Sequence, residues 1–160
     1  MDIDELSENF ELLDDWEDKY RYLIDLGEKL PPFAEECRTD EWKVSGCQSQ
    51  VWLVPSFVRE GNDVRLHFAG DSDAAIVRGL IAVVLTAFDG KTREEILSLD
   101  VAAVFARLGR TICRRAAATG LARWWKKSGF THQKDNYASK RAADEYSRIS
   151  GQADAEPQRH

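Results

Sequence analysis

The chain has 160 residues, 43% of them hydrophobic, 10% aromatic and 31% charged, with a formal net charge of -6; that is enough for one packed core and excludes a disordered chain. Its longest apolar run, Leu80 to Phe88, falls far short of the roughly 20 residues that a bilayer core demands. The acidic N-terminal stretch lacks the basic-then-apolar order of a secretory signal, so the expected compartment is the reducing cytoplasm, with Cys37, Cys47 and Cys113 as thiols.

Ile3, Leu6, Phe10 and Leu13 recur at helical spacing, as do Trp16, Tyr20, Leu23, Ile24 and Leu30, which predicts two amphipathic helices with Asp14 and Asp15 as caps between them. The second ends at Leu30-Pro31-Pro32, because proline disfavours helical geometry in the residue before it. From Pro31 to Gly46 no period is sustained, and a loop or loosely extended stretch is expected to run into Cys47. Val51 to Val58 is β-branched and aromatic, Glu60-Gly61-Asn62-Asp63 is a turn signal, and Val64, Leu66 and Phe68 alternate with Arg65, His67 and Ala69. This predicts a β-hairpin, with Pro55 marking an edge or a bulge. Gly70-Asp71-Ser72-Asp73 is expected to open a helix capped by Ser72 or Asp71, and its nearly all-apolar body from Ala74 to Phe88 has to be buried on most sides. Thr92 and Glu95 are spaced as a capping box over a short helix to Leu97, and Val101 to Leu108 is one more, ended by Gly109. Helices, hairpin, then helices make the fold class α+β.

Chemistry is concentrated in one segment, Val44-Ser45-Gly46-Cys47-Gln48-Ser49-Gln50-Val51-Trp52, which sets a cysteine on a loop just before a strand. A thiol so placed is able to meet a partner's reactive group, and neighbouring backbone N–H groups favour the nucleophilic thiolate. On position alone the alternative is a buried cysteine acting as a small hydrophobe. Arg78 and His67 are candidates to supply positive potential to that thiolate, or else are solvated or structural. Cys37, Cys47 and His67 lack the Cys-x-x-Cys or His-x-x-x-His spacing of a zinc site, so no metal is expected.

The string GCQSQVW, followed by a hairpin and then GDSDAAIVRGL, resembles the SufE family of sulfur-acceptor proteins, CsdE-like members included. The likeness runs from DDWEDKYRYLIDLGEKLPP through RTDEWKVSGCQSQVW and FAGDSDAAIVRGL to the helix before Gly109. It implies a SufE/IscU-like single domain over residues 1–109, in which N-terminal helices and a small antiparallel sheet precede a buried central helix and further helices. It also implies that Cys47 accepts the sulfane sulfur that a SufS/CsdA-type cysteine desulfurase strips from cysteine, and relays it to a downstream iron-sulfur scaffold. The protein would then be a sulfur-transfer partner and activator rather than an independent enzyme. It would carry no cofactor of its own, the pyridoxal phosphate residing on the desulfurase. Nothing in the family pattern requires Cys37. A cluster scaffold would need several cysteine ligands in one pocket, and this chain offers one well-placed candidate.

Past Gly109 the likeness stops. Up to that residue there are 23 Asp and Glu against 11 Lys and Arg, and after it 5 against 11. Where the family continues with a segment like LSPSRSNGL and a closing helix like AAMVERIR, this chain reads TICRRAAATGLARWWKKSGF. Tryptophan has one codon, so Trp124-Trp125-Lys126 fixes TGG TGG AA, which one register over reads Leu, Met or Val, then Val, then Glu, as in MVEK. Arg110-Thr111-Ile112-Cys113 and Ala118-Thr119-Gly120-Leu121 admit codons that in the same register read DHL and NGL. Residues 110–160 are therefore expected to be an aberrant basic tail, translated out of frame and poorly packed. Two other readings stand beside sulfur acceptance. One is a non-catalytic module that binds and regulates a desulfurase. The other is a nucleic-acid binder using Arg110, Arg114, Arg115, Arg123, Lys126 and Lys127 around Trp124 and Trp125, against which the acidic front of the chain argues.

Overall fold

The computed structural model describes residues 1–44, 49–109 and 114. The tail expected to be out of frame, Cys113 included, lies outside the described residues apart from Arg114. Helix α1 spans Ile3–Glu11, and its N-cap Asp2 accepts the Glu5 N–H at 2.9 Å, a bond that holds the Asp2 carboxyl below its ordinary pKa. Helix α2, Trp16–Glu28, is capped by Asp15 rather than Asp14, through the Glu17 N–H at 3.0 Å. It stops before Leu30-Pro31-Pro32, as proline requires.

Strands β1 (Val51–Glu60) and β2 (Asp63–Ser72) form the expected hairpin, each longer than its sequence signal. The register is one-to-one from Glu60↔Asp63 to Val51↔Ser72, so Pro55 marks no bulge. Its missing N–H costs nothing because Leu53, two residues earlier with the same orientation, turns its own N–H away from β2 and donates to the Trp42 carbonyl at 3.1 Å. The hairpin also overturns the expected helix cap: Gly70, Asp71 and Ser72 are strand residues opposite Leu53, Trp52 and Val51. Helix α3 runs Ala75–Phe88 and starts from Ala74, which makes no side-chain cap. Here tertiary pairing overrides the turn preference of Gly-Asp-Ser, since the backbone of Val51 and Trp52 would otherwise lack a partner.

A strand without a sequence signal, β3 (Lys91–Thr92), pairs with β2 and completes a sheet ordered β1-β2-β3. Thr92 then caps α4 (Arg93–Ser98) in the expected capping box with Glu95. The Thr92 backbone N–H, at 2.8 Å, keeps the Glu95 carboxyl below its ordinary pKa. Helix α5, Val101–Arg107, ends before Gly109, whose φ of 105° only glycine adopts readily.

The core lies between the helices and one face of the hairpin. Alternation along β1 sends Val51 and Leu53 towards α3, where they join Leu23, Leu80, Ile81 and Val83, all at most 2% exposed. A smaller cluster of Leu66, Phe88, Ile96 and Val104 seats α4 and α5. Trp52 and Val54 point to the opposite face, where Cys37 and Val54 pack with Phe33, Ala34, Trp42 and Ala69. That third cluster fastens the segment from Phe33 to Trp42, with a 3-10 turn at Glu35–Cys37, across the back of the hairpin, and Val44 at its end joins the main core. No helix among the described residues is long and apolar enough to cross a membrane.

Candidate functional site

Cys47 lies outside the described residues, together with Ser45, Gly46 and Gln48. Both flanks of this segment are described, and covalent reach alone keeps the Cα of Cys47 within about 11 Å of that of Val44 and about 8 Å of that of Ser49.

The N-terminal flank is the strap over the back of the hairpin. The Val44 N–H donates to the Val51 carbonyl at 2.8 Å, and the Leu53 N–H to the Trp42 carbonyl at 3.1 Å, on either side of a bridge between Lys43 and Trp52. The C-terminal flank is tied to the end of β2. Asp73 accepts the Gln50 N–H through its carboxylate at 3.0 Å, and the Gln50 carbonyl accepts the Ser72 hydroxyl at 2.7 Å. Of the two residues expected to cap α3, Ser72 thus holds the stem of the Cys47 segment, with Asp73 beside it, although the Ser72 oxygen also accepts the Ala74 N–H at 3.2 Å. Asp73→Ala removes the acceptor of the Gln50 N–H. Amide hydrogen exchange at Gln50 is then expected to rise several-fold, while global stability in urea falls by no more than about 1.5 kcal/mol, the net worth of one hydrogen bond.

Asp71 is 8% exposed and sits among cations. Its Oδ2 accepts Arg38 Nη2 at 2.6 Å, and its Oδ1 accepts the Ser72 N–H at 2.9 Å and lies 3.0 Å from Arg78 Nε. Arg38 also approaches Glu35 at 3.3 Å, and its guanidinium carbon lies 5.4 Å from the Trp52 ring centroid. A carboxylate leaving water needs such partners. Arg78 is therefore near the end of β2, with its charge directed at Asp71. His67 is not brought there. It pairs with Asp89 at 3.2 Å, five residues up β2 from Ser72, about 16 Å along a strand.

Cys37 is 3% exposed within the back cluster, as a small core hydrophobe would be. Among the described residues no three or more His, Cys, Asp or Glu are grouped to hold a metal. Arg38 had no sequence signal, being one basic residue among Glu35, Glu36, Asp40 and Glu41 and 33 positions from its partner.

The SufE family model, described as an Fe-S metabolism associated domain, matches residues 4–113. An uncharacterized SufE-like protein of Rhizobium etli is 50% identical over 107 residues, 67% of this chain and 72% of that protein. One from Rhizobium meliloti is 49% identical over 107 residues, covering 67% of this chain and 76% of the relative. The matched span includes Cys47, both flanks of its segment and the Asp71-Ser72-Asp73 anchor, and the chain belongs to the SufE family, whose domain is associated with Fe-S metabolism.

Proposed function

We propose that the protein accepts sulfur on Cys47 from a SufS/CsdA-type, pyridoxal-phosphate-dependent cysteine desulfurase and passes it to a downstream iron-sulfur scaffold. The observation that carries this reading is the coincidence of the family match with a cysteine-bearing segment anchored at both ends, by Val44 on β1 and by Gln50 on Ser72 and Asp73. Anchored stems restrict where a short loop can travel, which favours a thiol that must meet another protein's sulfur repeatedly in one geometry.

The chemistry is an exchange at sulfur. The Cys47 thiolate attacks the outer sulfur of the desulfurase's cysteine persulfide, a new S–S bond forms at Cys47, the old one breaks, and the partner leaves as a thiolate. Electrons balance without an oxidant, and the protein needs no cofactor of its own. Incubation with desulfurase and sulfur-labelled cysteine tests the reading. Label bound to this chain, and released by a thiol reductant, is the expected result; unlabelled protein in a complex with desulfurase contradicts it. That second outcome is the signature of a module that binds and regulates without accepting sulfur. The end of the family match at residue 113, which leaves the remaining chain outside the family pattern, favours such a module.

The tail bears on this directly. In the register that turns Trp124-Trp125-Lys126 into a Val-Glu helix, the GC-starting codons of Ala116, Ala117 and Ala118 yield three codons ending in GC. These admit Ser-Arg-Ser, as in LSPSRSNGL. DNA sequencing across codons 105–130 is expected to show an uninterrupted SufE-like continuation in that register. A gene with stop codons or unrelated sequence there refutes the out-of-frame origin of the tail.

A further inference from the structure

The two stems of the Cys47 segment are fastened by different means. The C-terminal stem has three hydrogen bonds to Ser72 and Asp73. The N-terminal stem has two backbone bonds around the isolated Lys43–Trp52 bridge, and beyond the 3-10 turn the strap has no regular structure. Its docking therefore rests on side chains.

Arg38 supplies the polar part. Trp52 and Asp71 are directly opposite across the two strands, and Arg38 covers both, its guanidinium carbon 5.4 Å from the Trp52 ring centroid and its Nη2 2.6 Å from the Asp71 carboxylate. The other carboxylate oxygen faces the Ser72 N–H and Arg78, so Asp71 is aimed by its own strand and by α3. Arg38 then ties the strap to an already fixed acceptor. A charge-assisted bond of this kind is strong and directional, and the cation over the indole adds to it.

We propose that Asp71 is a positioning residue, which through Arg38 holds the strap from Phe33 to Val44 on the hairpin and thereby fixes the N-terminal stem of the Cys47 segment. The proposal deepens the sulfur-acceptor reading and rests on it for its functional consequence. Asp71→Asn removes the charge and retains an acceptor for the Ser72 N–H. Arg38→Gln breaks the same pair from the strap side, at a side chain 30% exposed, and decides the matter should Asp71→Asn not fold.

Amide hydrogen exchange at Val44 and Leu53 is expected to accelerate at least about tenfold in either variant, with Gln50 and the α3 amides of Leu80 and Ile81 changed less than about twofold. The double variant is expected to fall short of the sum of the single ones, because both break the Arg38–Asp71 pair, while only Asp71→Asn loses the Arg78 pair and only Arg38→Gln the contact with Trp52. Arg38→Lys, which keeps the charge, should recover part of the protection. In transfer assays sulfur uptake is expected to slow about tenfold while affinity for the desulfurase stays within about twofold. Unchanged exchange at Val44 and Leu53, uniform acceleration throughout the fold, or additive effects in the double variant would overturn the proposal. Should the unaltered protein take up no sulfur at all, the acceptor reading fails, and the exchange data still decide whether Asp71 holds the strap.

Discussion

A chain carrying Cys47→Ser is expected to take up no sulfur from a cysteine desulfurase while folding as the unaltered protein does. The exchange requires a thiolate, and a serine hydroxyl at neutral pH offers neither the anion nor the polarizable sulfur that forms the new S–S bond. The change is one atom, and it leaves the core residues described around α3 and behind the hairpin untouched, so the urea midpoint should shift by less than an equivalent of about 1 kcal/mol. Cys37→Ala is the matching control. That side chain is 3% exposed among Val54, Phe33 and Trp42, and its loss should lower stability by about 1 to 2 kcal/mol and leave sulfur uptake intact. Sulfur uptake that survives Cys47→Ser and is lost with Cys37→Ala would reverse the assignment.

The largest expected effect on stability belongs to Gly79→Ala. Helices α2 and α3 cross backbone to backbone at Gly27 and Gly79. A Cβ at Gly79 would collide with the backbone carbonyl of Leu23, and one at Gly27 would come within 2.7 Å of the Gly79 nitrogen and 2.9 Å of the Arg78 carbonyl carbon. Backbone atoms cannot rotate away as a side chain does, so the helices must separate and loosen Leu23, Leu80 and Ile81 between them. A loss of about 3 kcal/mol or more is expected in urea unfolding. Gly61→Ala provides the contrast. It sits in the hairpin turn at φ 64° with no atom near its would-be Cβ, so only the backbone conformation is penalised, by about 1 kcal/mol. Equal effects at the two positions would show that the α2–α3 crossing is not as close as described.

The same contrast explains which parts of the molecule were legible in the sequence. Local rules found the elements: helical spacing gave α1 and α2, alternation gave the hairpin, the Thr92 and Glu95 spacing gave the capping box, and the apolar run gave α3. Gly27 and Gly79 carried no such signal, because a close helix crossing depends on two residues far apart in the chain. Strand β3 has only two residues and owes its extended state to β2 rather than to its composition. Gly70-Asp71-Ser72 misled in the same way, since a helix cap is the local reading and a partner strand is the tertiary one.

The site followed that division. Cys47 is singled out by the sequence and by resemblance and lies outside the described residues, while Ser72, expected as a helix cap, ties down Gln50 together with Asp73. Arg38 was missed, although a buried aspartate in a strand signals that a cation must come from somewhere. Its source is not written in any local pattern.

The most direct measurement is peptide mass spectrometry of the protein after incubation with a cysteine desulfurase and cysteine, digested without reductant. One added sulfur atom on the peptide holding Cys47 is the expected result. Sulfur found only on the peptides of Cys37 or Cys113, or absent from the chain although a complex with the desulfurase forms, would contradict an acceptor role for Cys47.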